Sequence, residues 1–147
     1  MNIKTLATNK KAFHDFKILD TLEVGIKLTG PEVKSVRASA VSLKESLILV
    51  EKDQLIIKNL HISPYKFAPA DIQDPLRDRV LLANKKEITS LKTKTKQKGL
   101  SLIPTKVYLK NNRIKLEIAL VQGKKKWDKR ESIKKKDIER EKKQELL

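Results

Sequence analysis

Apolar and polar residues alternate along much of this chain, and the alternation predicts a β-rich body. Residues 22–28 place an apolar side chain at every second position, which is the period of a half-buried strand, and residues 114–121 repeat this pattern most clearly. Residues 47–50 form a short apolar run, the polar residues 51–54 predict a turn, and residues 55–60 are the expected hairpin partner. These segments predict antiparallel strands joined by short connections.

Two further segments are expected to form strands that contain or end at a proline. Residues 61–65 continue the hairpin partner as far as Pro64. Residues 100–109 carry Pro104, which suits an edge or a bulge better than a central position because proline has no N–H to donate. Residues 110–113 predict a turn, since their two asparagines tolerate left-handed backbone conformations.

Two short helices are predicted within the same body. The first covers residues 31–38 and begins with a proline, which is tolerated at the first helical position. The second covers residues 79–92, where Leu81, Ile88 and Leu91 fall on one face. The body therefore combines a sheet with two short helical insertions.

The number and spacing of these elements predict the fold class. About six strand candidates and two helices lie between residues 12 and 122, which favours a mainly β fold with short α-helices, an OB-like closed antiparallel β-barrel. Residues 1–11 are expected to be a mobile or RNA-facing arm, and a solvated terminus fits their composition equally well. Residues 68–78 predict a loop, and the lysine-rich residues 93–99 predict an exposed loop or a basic prong.

The charge of the chain indicates the kind of partner it meets. Lys and Arg number 34 against 18 Asp and Glu, for a net charge of +16. Such an excess repels itself in a compact state and is typical of proteins that bind polyanions. Nucleic acid is the leading partner, because neutralising phosphates releases counterions, and an anionic membrane surface is the second.

The basic residues are not confined to one end of the chain. Residues 124–147 hold eleven Lys or Arg and six Asp or Glu with few apolar side chains, so the preceding body is basic as well. We divide the chain into an OB-like RNA-binding barrel at 1–122 and a basic C-terminal tail at 123–147. The tail is expected to be disordered in isolation and helical along a polyanion, since its composition is charged but rich in helix formers.

Several classes of protein are disfavoured by what the sequence lacks. It has no cysteine, which excludes disulfides, thiolate nucleophiles and cysteine zinc sites and fits a cytoplasmic protein. No apolar run is long enough to span a membrane, and no secretory signal is expected. His14 and His61 lack metal-ligand spacing, and the four glycines form no phosphate loop. We expect no metal, no cofactor and no catalysis, although scattered carboxylates leave a nuclease or transferase as an alternative.

Two assignments stay open from the residue pattern alone. Lys34 and Arg37 lie three residues apart on a predicted helix and share a face, which is either solvated or in contact with phosphates. Leu82 lies about 100° around the second predicted helix from Leu81. It is therefore either a second core residue or an apolar contact on the rim.

Six sequence blocks follow one another at a characteristic spacing. They are residues 9–14 (NKKAFH), 22–25 (LEVG), 30–37 (GPEVKSVR), 59–65 (NLHISPY), 74–77 (DPLR) with 81–84 (LLAN), and 123–130 (GKKKWDKR). In this order they resemble the small protein B family, the SsrA-binding (tmRNA-binding) proteins of bacterial trans-translation. The resemblance runs from about residue 6 to about residue 137 and is far more specific than any single block.

The resemblance implies a non-enzymatic RNA-binding adaptor of ribosome rescue. Such a protein is an OB-like barrel that binds the tRNA-like domain of tmRNA (SsrA RNA), and it meets elongation factor Tu indirectly through tmRNA. It helps to deliver tmRNA to stalled ribosomes, where incomplete proteins are tagged. Its tail becomes ordered on the ribosome and probes the small-subunit decoding centre and the message channel. No cofactor and no membrane are implied, and we expect a cytoplasmic monomer.

Site residues follow from the resemblance and from charge. Asn9, Glu23 and Leu82 match family positions on the tmRNA-binding face, and charge adds three cations. The expected RNA-binding residues are thus Asn9, Lys10, Glu23, Lys34, Arg37 and Leu82. The tail residues expected to meet the ribosome are Gly123, Lys124, Lys125, Lys126, Trp127, Asp128, Lys129, Arg130, Lys134, Lys135 and Lys136.

The sequence departs from the family pattern at two positions. Pro31 stands where many members have tryptophan or threonine, and Trp127, the only tryptophan, stands where members often have histidine. An imidazole role at residue 127 is therefore in doubt, whereas base stacking suits an indole. Two other functions remain as alternatives: a generic ribosome-associated or single-stranded-RNA-binding barrel, and a metal-dependent RNA-processing enzyme.

Overall fold

The computed structural model describes residues 3–69, 71, 73–97 and 99–123. These described residues form nine strands and three helices. In chain order they are β1 (Ile3–Thr8), α1 (Lys10–Asp15), β2 (Phe16–Ile26), α2 (Gly30–Arg37), β3 (Val41–Ser42), β4 (Leu47–Glu51), β5 (Gln54–Lys58), β6 (His61–Ile62), β7 (Arg79–Leu82), α3 (Lys85–Thr95), β8 (Leu100–Lys110) and β9 (Arg113–Gly123).

Seven of these strands form one large antiparallel sheet. Its order is β1-β8-β4-β5-β7-β2-β9, and β8 pairs with β9 as well. The strands β3 and β6 form a separate two-stranded ladder. β9 pairs along the whole length of β8, whereas the other edge of β8 is shared between β4 near Leu102 and β1 from Lys106 to Lys110. The prediction of a mainly β fold with few short helices is confirmed.

Two tight turns set the register of the long hairpins. Lys52 and Asp53 connect β4 to β5 with φ values of 48° and 62°. Asn111 and Asn112 connect β8 to β9 with φ values of 53° and 66°. Two successive left-handed residues are the mark of a type I′ turn, whose twist matches that of the flanking strands. Both turn predictions are confirmed.

Strand β8 contains the bulge that its proline predicted. Its register against β9 shifts between Pro104 and Lys106, so that Thr105 is the extra residue. A bulge is a place where the missing N–H of proline does not break the ladder. The bulge also brings Thr105 into the interior, where it is fully buried.

The core lies on the inner face of the sheet. It contains sixteen buried apolar residues, of which Leu55, Ile57 and Leu116 are completely buried. A smaller cluster lies on the outer face, where Ala12 of α1 packs with Ile103, Ala119 and Val121. The end of β9 is therefore buried on both faces, because α1 covers the side that strict alternation assigns to solvent.

The prediction of a mobile N-terminal arm is wrong for the residues that the structure describes. Ile3–Thr8 is strand β1, which pairs antiparallel with β8, and Leu6 is buried in the core. Lys10 and the residues that follow form α1, which was not predicted. The open edge of β8 supplies hydrogen-bond partners that residues 1–11 alone do not reveal.

The predicted helix over residues 79–92 is wrong in its first part. Arg79–Leu82 is strand β7, which pairs with β5 and β2, and the helix begins only after Asn84. Asn84 accepts from the Glu87 N–H at 2.9 Å, and the Glu87 carboxylate accepts from the Asn84 N–H at 3.1 Å. This reciprocal capping box marks the start of the helix. Because α3 runs to Thr95, the lysine-rich loop predicted from residue 93 also begins later.

Strand β9 ends at Gly123, which pairs with Phe16 of β2. Gly123, assigned from the sequence to the tail, thus belongs to the last strand. The predictions made for residues 124–147 lie outside the described residues. Among the residues that are described, no helix is long and apolar enough to cross a membrane.

Candidate nucleic-acid interface

The outer face of β2, β9 and β8 carries a set of neighbouring charged residues. Because successive side chains of a strand point to opposite faces, the buried Val24 places Glu23 and Gly25 on the outside. Glu23 lies opposite Glu117 of β9 in the ladder. We call this surface the outer polar face. It consists of Glu23, Lys106, Tyr108, Lys110, Lys115 and Glu117.

Glu23 is held by two donors from β8. The Tyr108 hydroxyl donates to Glu23 Oε2 at 2.6 Å, and Lys110 Nζ donates to Glu23 Oε1 at 3.2 Å. The hydrogen bond from Tyr108 has the largest effect on the pKa of Glu23 and lowers it. Burial opposes this effect, Lys110 and Lys115 add to the lowering, and the pKa of Glu23 lies below its ordinary value. Burial and the Glu23 carboxylate raise the pKa of Tyr108 far above its usual range. At neutral pH Glu23 is therefore an anion, and Tyr108 is a donor.

Glu117 has a matching set of donors beside it. The buried Thr105 donates its hydroxyl to Glu117 Oε2 at 2.6 Å, and Lys106 Nζ lies 3.9 Å from Glu117 Oε1. Like charges directly opposite on neighbouring strands are destabilising. The two carboxylates are tolerated because each has its own hydroxyl donor and its own lysine.

Leu82 extends the outer polar face with an apolar residue. It lies opposite Gly25 in the ladder between β2 and β7, and it is 48 % exposed. Gly25 and Glu23 are two residues apart on one strand, so Leu82 and Glu23 share a face. A Cβ at Gly25 would lie 3.3 Å from Leu82 Cβ, so the glycine leaves room for Leu82. Leu82 is therefore not a second core residue, and the apolar contact on the rim stays a prediction.

Asn9 has a different position from the one expected of a direct base contact. It is buried, and its Nδ2 donates to the Pro104 carbonyl at 3.0 Å while its Oδ1 accepts from the Ala12 N–H at 3.3 Å. Its backbone N–H donates to the Thr105 carbonyl at 2.7 Å. The side chain thus caps α1 and fixes the helix on the bulge of β8.

Two adjacent grooves meet at Asn9. They have volumes of about 370 and 380 Å³, and both are lined by Lys11 and Lys44, but the first is also lined by the carboxylates of Asp15 and Glu45. Lys10, the first residue of α1, lines the second groove. The second groove, whose lining among the described residues has three lysines and no carboxylate, therefore suits a phosphate backbone.

Lys34 and Arg37 are both exposed on α2. Arg37 Nη2 donates to the Asn112 carbonyl at 2.8 Å, which joins the end of α2 to the turn after β8. That turn begins next to Lys110, the partner of Glu23. The structure therefore gathers Glu23, Arg37 and Leu82 around one end of the β8–β9 hairpin, whereas Asn9 and Lys10 lie at the bulge.

Comparison with known proteins identifies the family of nearly the whole chain. Residues 6–147 match the SmpB protein family. The chain belongs to this family. It is 55 % identical over 140 residues to the SsrA-binding protein of Halothermothrix orenii, covering 95 % of this chain and 90 % of that protein. It is 50 % identical over 141 residues to the SsrA-binding protein of Persephonella marina, covering 96 % and 93 %.

A solved structure supports the same relationship. The chain resembles an SmpB chain from work described as "tmRNA-SmpB: a journey to the center of the bacterial ribosome" with a TM-score of 0.68 and 41 % identity. The similarity covers 80 % of this chain and 83 % of that one. The resemblance drawn from the six sequence blocks is confirmed.

For an SmpB protein, the sequence blocks missed the residues that organise the site. Lys106 and Tyr108 stand two apart on the strand predicted over residues 100–109, so their shared face could be inferred. Lys110 is assigned to the following turn by the sequence pattern, although β8 extends to include it, and the contacts of Tyr108 and Lys110 with Glu23 could not be inferred. Lys44 lies outside every block. Within the described ranges, no group of three or more His, Cys, Asp or Glu residues is placed to hold a metal ion.

The structural position of Asn9 leads to a prediction for this SmpB protein. Asn9→Ala is expected to lower the free energy of unfolding by about 1–3 kcal/mol, because it removes a helix cap and leaves the buried Pro104 carbonyl without its donor. Urea unfolding followed by circular dichroism measures the effect. Lys10→Ala, at the exposed neighbouring position, is the control and should change stability by less than about 0.5 kcal/mol. Equal effects of the two variants would contradict the capping role.

Proposed function

We propose that this chain is an RNA-binding adaptor that binds the tRNA-like domain of tmRNA and is required for its delivery to stalled ribosomes in trans-translation. The observation that carries the proposal is the match of residues 6–147 to the SmpB family, with SsrA-binding relatives at 50 % identity or more. The net charge of +16 fits an RNA partner. The protein acts in the cytoplasm as a monomer, without catalysis or cofactor, and meets elongation factor Tu only through tmRNA.

The proposal includes closure of the sheet into an OB-like barrel. The strand pairings run from β8 through β4, β5, β7 and β2 to β9, and β9 pairs with β8 again. A ladder that returns to its first strand has no open edge between those strands. This path supports the closed barrel as the RNA-binding body.

We assign the RNA contacts to the exposed members of the predicted set. Lys10, Lys34 and Arg37 neutralise phosphates, whereas Glu23 accepts from nucleotide donors and Leu82 packs on an unstacked base or ribose. Asn9 contributes by holding α1, and with it Lys10, on the bulge. The support is geometric: Glu23 and Leu82 share the outer face, and both cations of α2 are exposed.

The tail completes the proposal. Residues 124–147 are proposed to be disordered in the isolated protein and to form a helix along ribosomal RNA, in contact with the decoding centre and the message channel. The excess of basic residues and the scarcity of apolar ones support this role. Trp127 is proposed to stack on a base, since aromatic rings suit such contacts.

Selective binding tests the proposed function. The chain should bind the tRNA-like domain of tmRNA much more tightly than an unstructured RNA of equal length and charge at the same salt concentration. A filter-binding or fluorescence-anisotropy titration measures both dissociation constants. Equal affinities would support instead the second candidate, a generic single-stranded-RNA-binding barrel, for which the lysine-lined groove beside Lys10 is the favouring observation.

Lys34 supplies a prediction on the salt dependence of binding. Lys34→Ala is expected to reduce the slope of log affinity against log salt by about 0.7–0.9, since each neutralised phosphate releases that share of a counterion. Titrations at several potassium chloride concentrations measure the slope. Lys85→Ala, an exposed lysine at the start of α3, is the matched control and should leave the slope unchanged. A slope that does not change in the Lys34 variant would remove this residue from the interface.

A further inference from the structure

We propose that Tyr108 is a positioning residue that determines specificity: it holds Glu23 as a fixed, acceptor-only carboxylate that selects a nucleotide bearing an N–H or O–H donor. The inference rests on the proposed RNA-binding function and deepens it. It starts from the contact between Tyr108 and Glu23, which lie 85 residues apart in the chain and meet across β9.

The geometry leaves Glu23 able to accept further hydrogen bonds. An ionised carboxylate has about four lone-pair sites on its two oxygens. Tyr108 uses one on Oε2 and Lys110 uses one on Oε1, so each oxygen keeps a second site. The Glu23 side chain is 36 % exposed, so these sites are accessible to a ligand. The protein thus holds the carboxylate through one site on each oxygen, and the remaining site on each oxygen is available to accept a hydrogen bond from RNA.

Tyr108 is the rigid member of this arrangement. It is only 7 % exposed, and it lies on β8 between the bulge and the turn, where pairing with Lys115 fixes its backbone. Lys110 is 30 % exposed and holds Glu23 with a flexible side chain at a longer distance. Fixing a glutamate before binding removes the entropy cost of ordering it on the RNA. Tyr108 is therefore the group that sets the orientation of Glu23.

The chemistry of the held carboxylate defines what it selects. Two donors already point at it, so it remains ionised and has no hydrogen of its own to donate. It can accept from the amino or imino groups of guanine, from the amino groups of adenine or cytosine, or from a ribose 2′-hydroxyl. The carboxylate disfavours nucleotides that present a carbonyl oxygen or an unprotonated ring nitrogen at this position. These groups are acceptors too, so they repel the carboxylate and form no hydrogen bond with it. The class of ligand is a nucleotide that presents a donor group beside Leu82.

A double-mutant cycle on the full-length chain tests the inference. The dissociation constant for the tRNA-like domain of tmRNA is measured for the wild type, Tyr108→Phe, Glu23→Gln and the double variant. Tyr108→Phe keeps the ring and removes only the hydroxyl, and it is expected to weaken binding by about tenfold. In the Glu23→Gln background the same change is expected to alter binding by less than about twofold. Equal losses in both backgrounds, or no loss in the wild-type background, would overturn the proposal.

Two further readouts separate positioning from a general effect on the fold. Without the hydroxyl, the pKa of Glu23 should rise toward its usual value, so RNA binding by Tyr108→Phe should fall off at a higher pH than in the wild type as the solution is acidified. If the wild type and Tyr108→Phe lose RNA binding at the same pH on acidification, the inference is contradicted. Tyr65→Phe, which removes the hydroxyl of the only other tyrosine, is the matched control and should leave both affinity and pH profile unchanged.

Modified RNAs identify the donor. Single 2′-deoxy substitutions remove one hydroxyl, and inosine in place of guanosine removes one amino group. The modification that removes the true donor should weaken RNA binding by the wild type. It should not weaken RNA binding by the double variant, which carries both Tyr108→Phe and Glu23→Gln. If no modification is coupled to these residues, the inference fails while the proposed function stands. If the wild type does not bind the tRNA-like domain, the proposed function itself fails.

Discussion

Glu32→Ala is expected to lower the free energy of unfolding by about 3–5 kcal/mol, the usual cost of removing one partner from a buried ion pair. Glu32 Oε2 accepts from Arg79 Nε at 2.9 Å and from Arg79 Nη2 at 2.7 Å, and Oε1 accepts from Arg77 Nη2 at 2.7 Å. The Arg79 side chain is completely buried, and that of Glu32 is 9 % exposed. The variant would leave the Arg79 charge buried without its counterion.

The same carboxylate joins several parts of the fold. It accepts from the Thr29 N–H at 2.9 Å and so caps α2, while Arg79 Nη1 donates to the Leu60 carbonyl at 2.7 Å. Helix α2, the loop that carries Arg77 and the connection between β5 and β6 therefore share one charged centre. Its loss should loosen the position of Lys34 on α2 as well as reduce stability.

Chemical denaturation measures this effect, and Glu87→Ala is its matched control. Glu87 makes the same capping box at the start of α3, but both hydrogen bonds of that cap are exposed to solvent. Its loss should cost only about 1 kcal/mol. If both variants lost the same stability in urea at pH 7, the ion pair would contribute nothing beyond the helix cap.

The pH dependence of stability checks the same centre independently. Burial raises the pKa of Glu32, but the hydrogen bonds from Arg77 and Arg79 outweigh it and lower the pKa to about 2, against an ordinary value of 4.5. A carboxyl whose pKa is lower in the folded state stabilises the fold above about pH 4.5, and this contribution is lost as the pH falls toward 2. The lost contribution is on the order of 3 kcal/mol. Glu32→Gln should show a flatter stability curve over this range, and parallel curves would contradict the assignment.

A chain that ends at Gly123 is expected to bind tmRNA with nearly the affinity of the full chain but to lose the tagging of stalled proteins. The body keeps most of the net charge of +16, because residues 124–147 hold only eleven of the 34 basic residues and six of the 18 acidic ones. Stopping after Gly123 also preserves the pairing of this residue with Phe16, which an earlier end would break.

Binding titrations and a reconstituted tagging reaction measure the two effects of truncation. A chain with the order of residues 124–147 scrambled keeps length and charge and serves as the control. It should also fail in tagging, since the proposed role depends on the motif and not on charge alone. If truncation abolished tmRNA binding itself, the division between body and tail would be wrong.

The parts of the fold that local sequence determines were predicted well. The asparagine turn after β8, the hairpin from β4 to β5 and the bulge at Pro104 each depend on residues next to one another. The start of α3 is also determined by local sequence, because Asn84 and Glu87 form a capping box there. The prediction missed it because the apolar pattern that begins at Leu81 was interpreted as part of the helix. Periodicity alone does not separate a short buried strand from a helix turn.

The organisation of the site could not be predicted because it depends on distant pairs. Tyr108 meets Glu23, Arg79 meets Glu32 and Asn9 meets Pro104 across separations of 85, 47 and 95 residues. Each pair is fixed by the register between strands or by a helix packed on the sheet. The family blocks identified Asn9 and Glu23 as important, but only the fold shows that one is a buried cap and the other an exposed acceptor.

The bulge in β8 has a consequence for how the protein behaves at high concentration. Between the parts of its edge that pair with β4 and with β1, β8 has no partner strand among the described residues for the backbone of Pro104 and Thr105. Asn9 covers this gap, since its side-chain amide and its backbone N–H bind both carbonyls, and the proline offers no N–H. An unpaired stretch of strand edge is where chains add to one another and aggregate. Asn9 and Pro104 together close this stretch, so the protein can remain dispersed while it carries a large positive charge among nucleic acids.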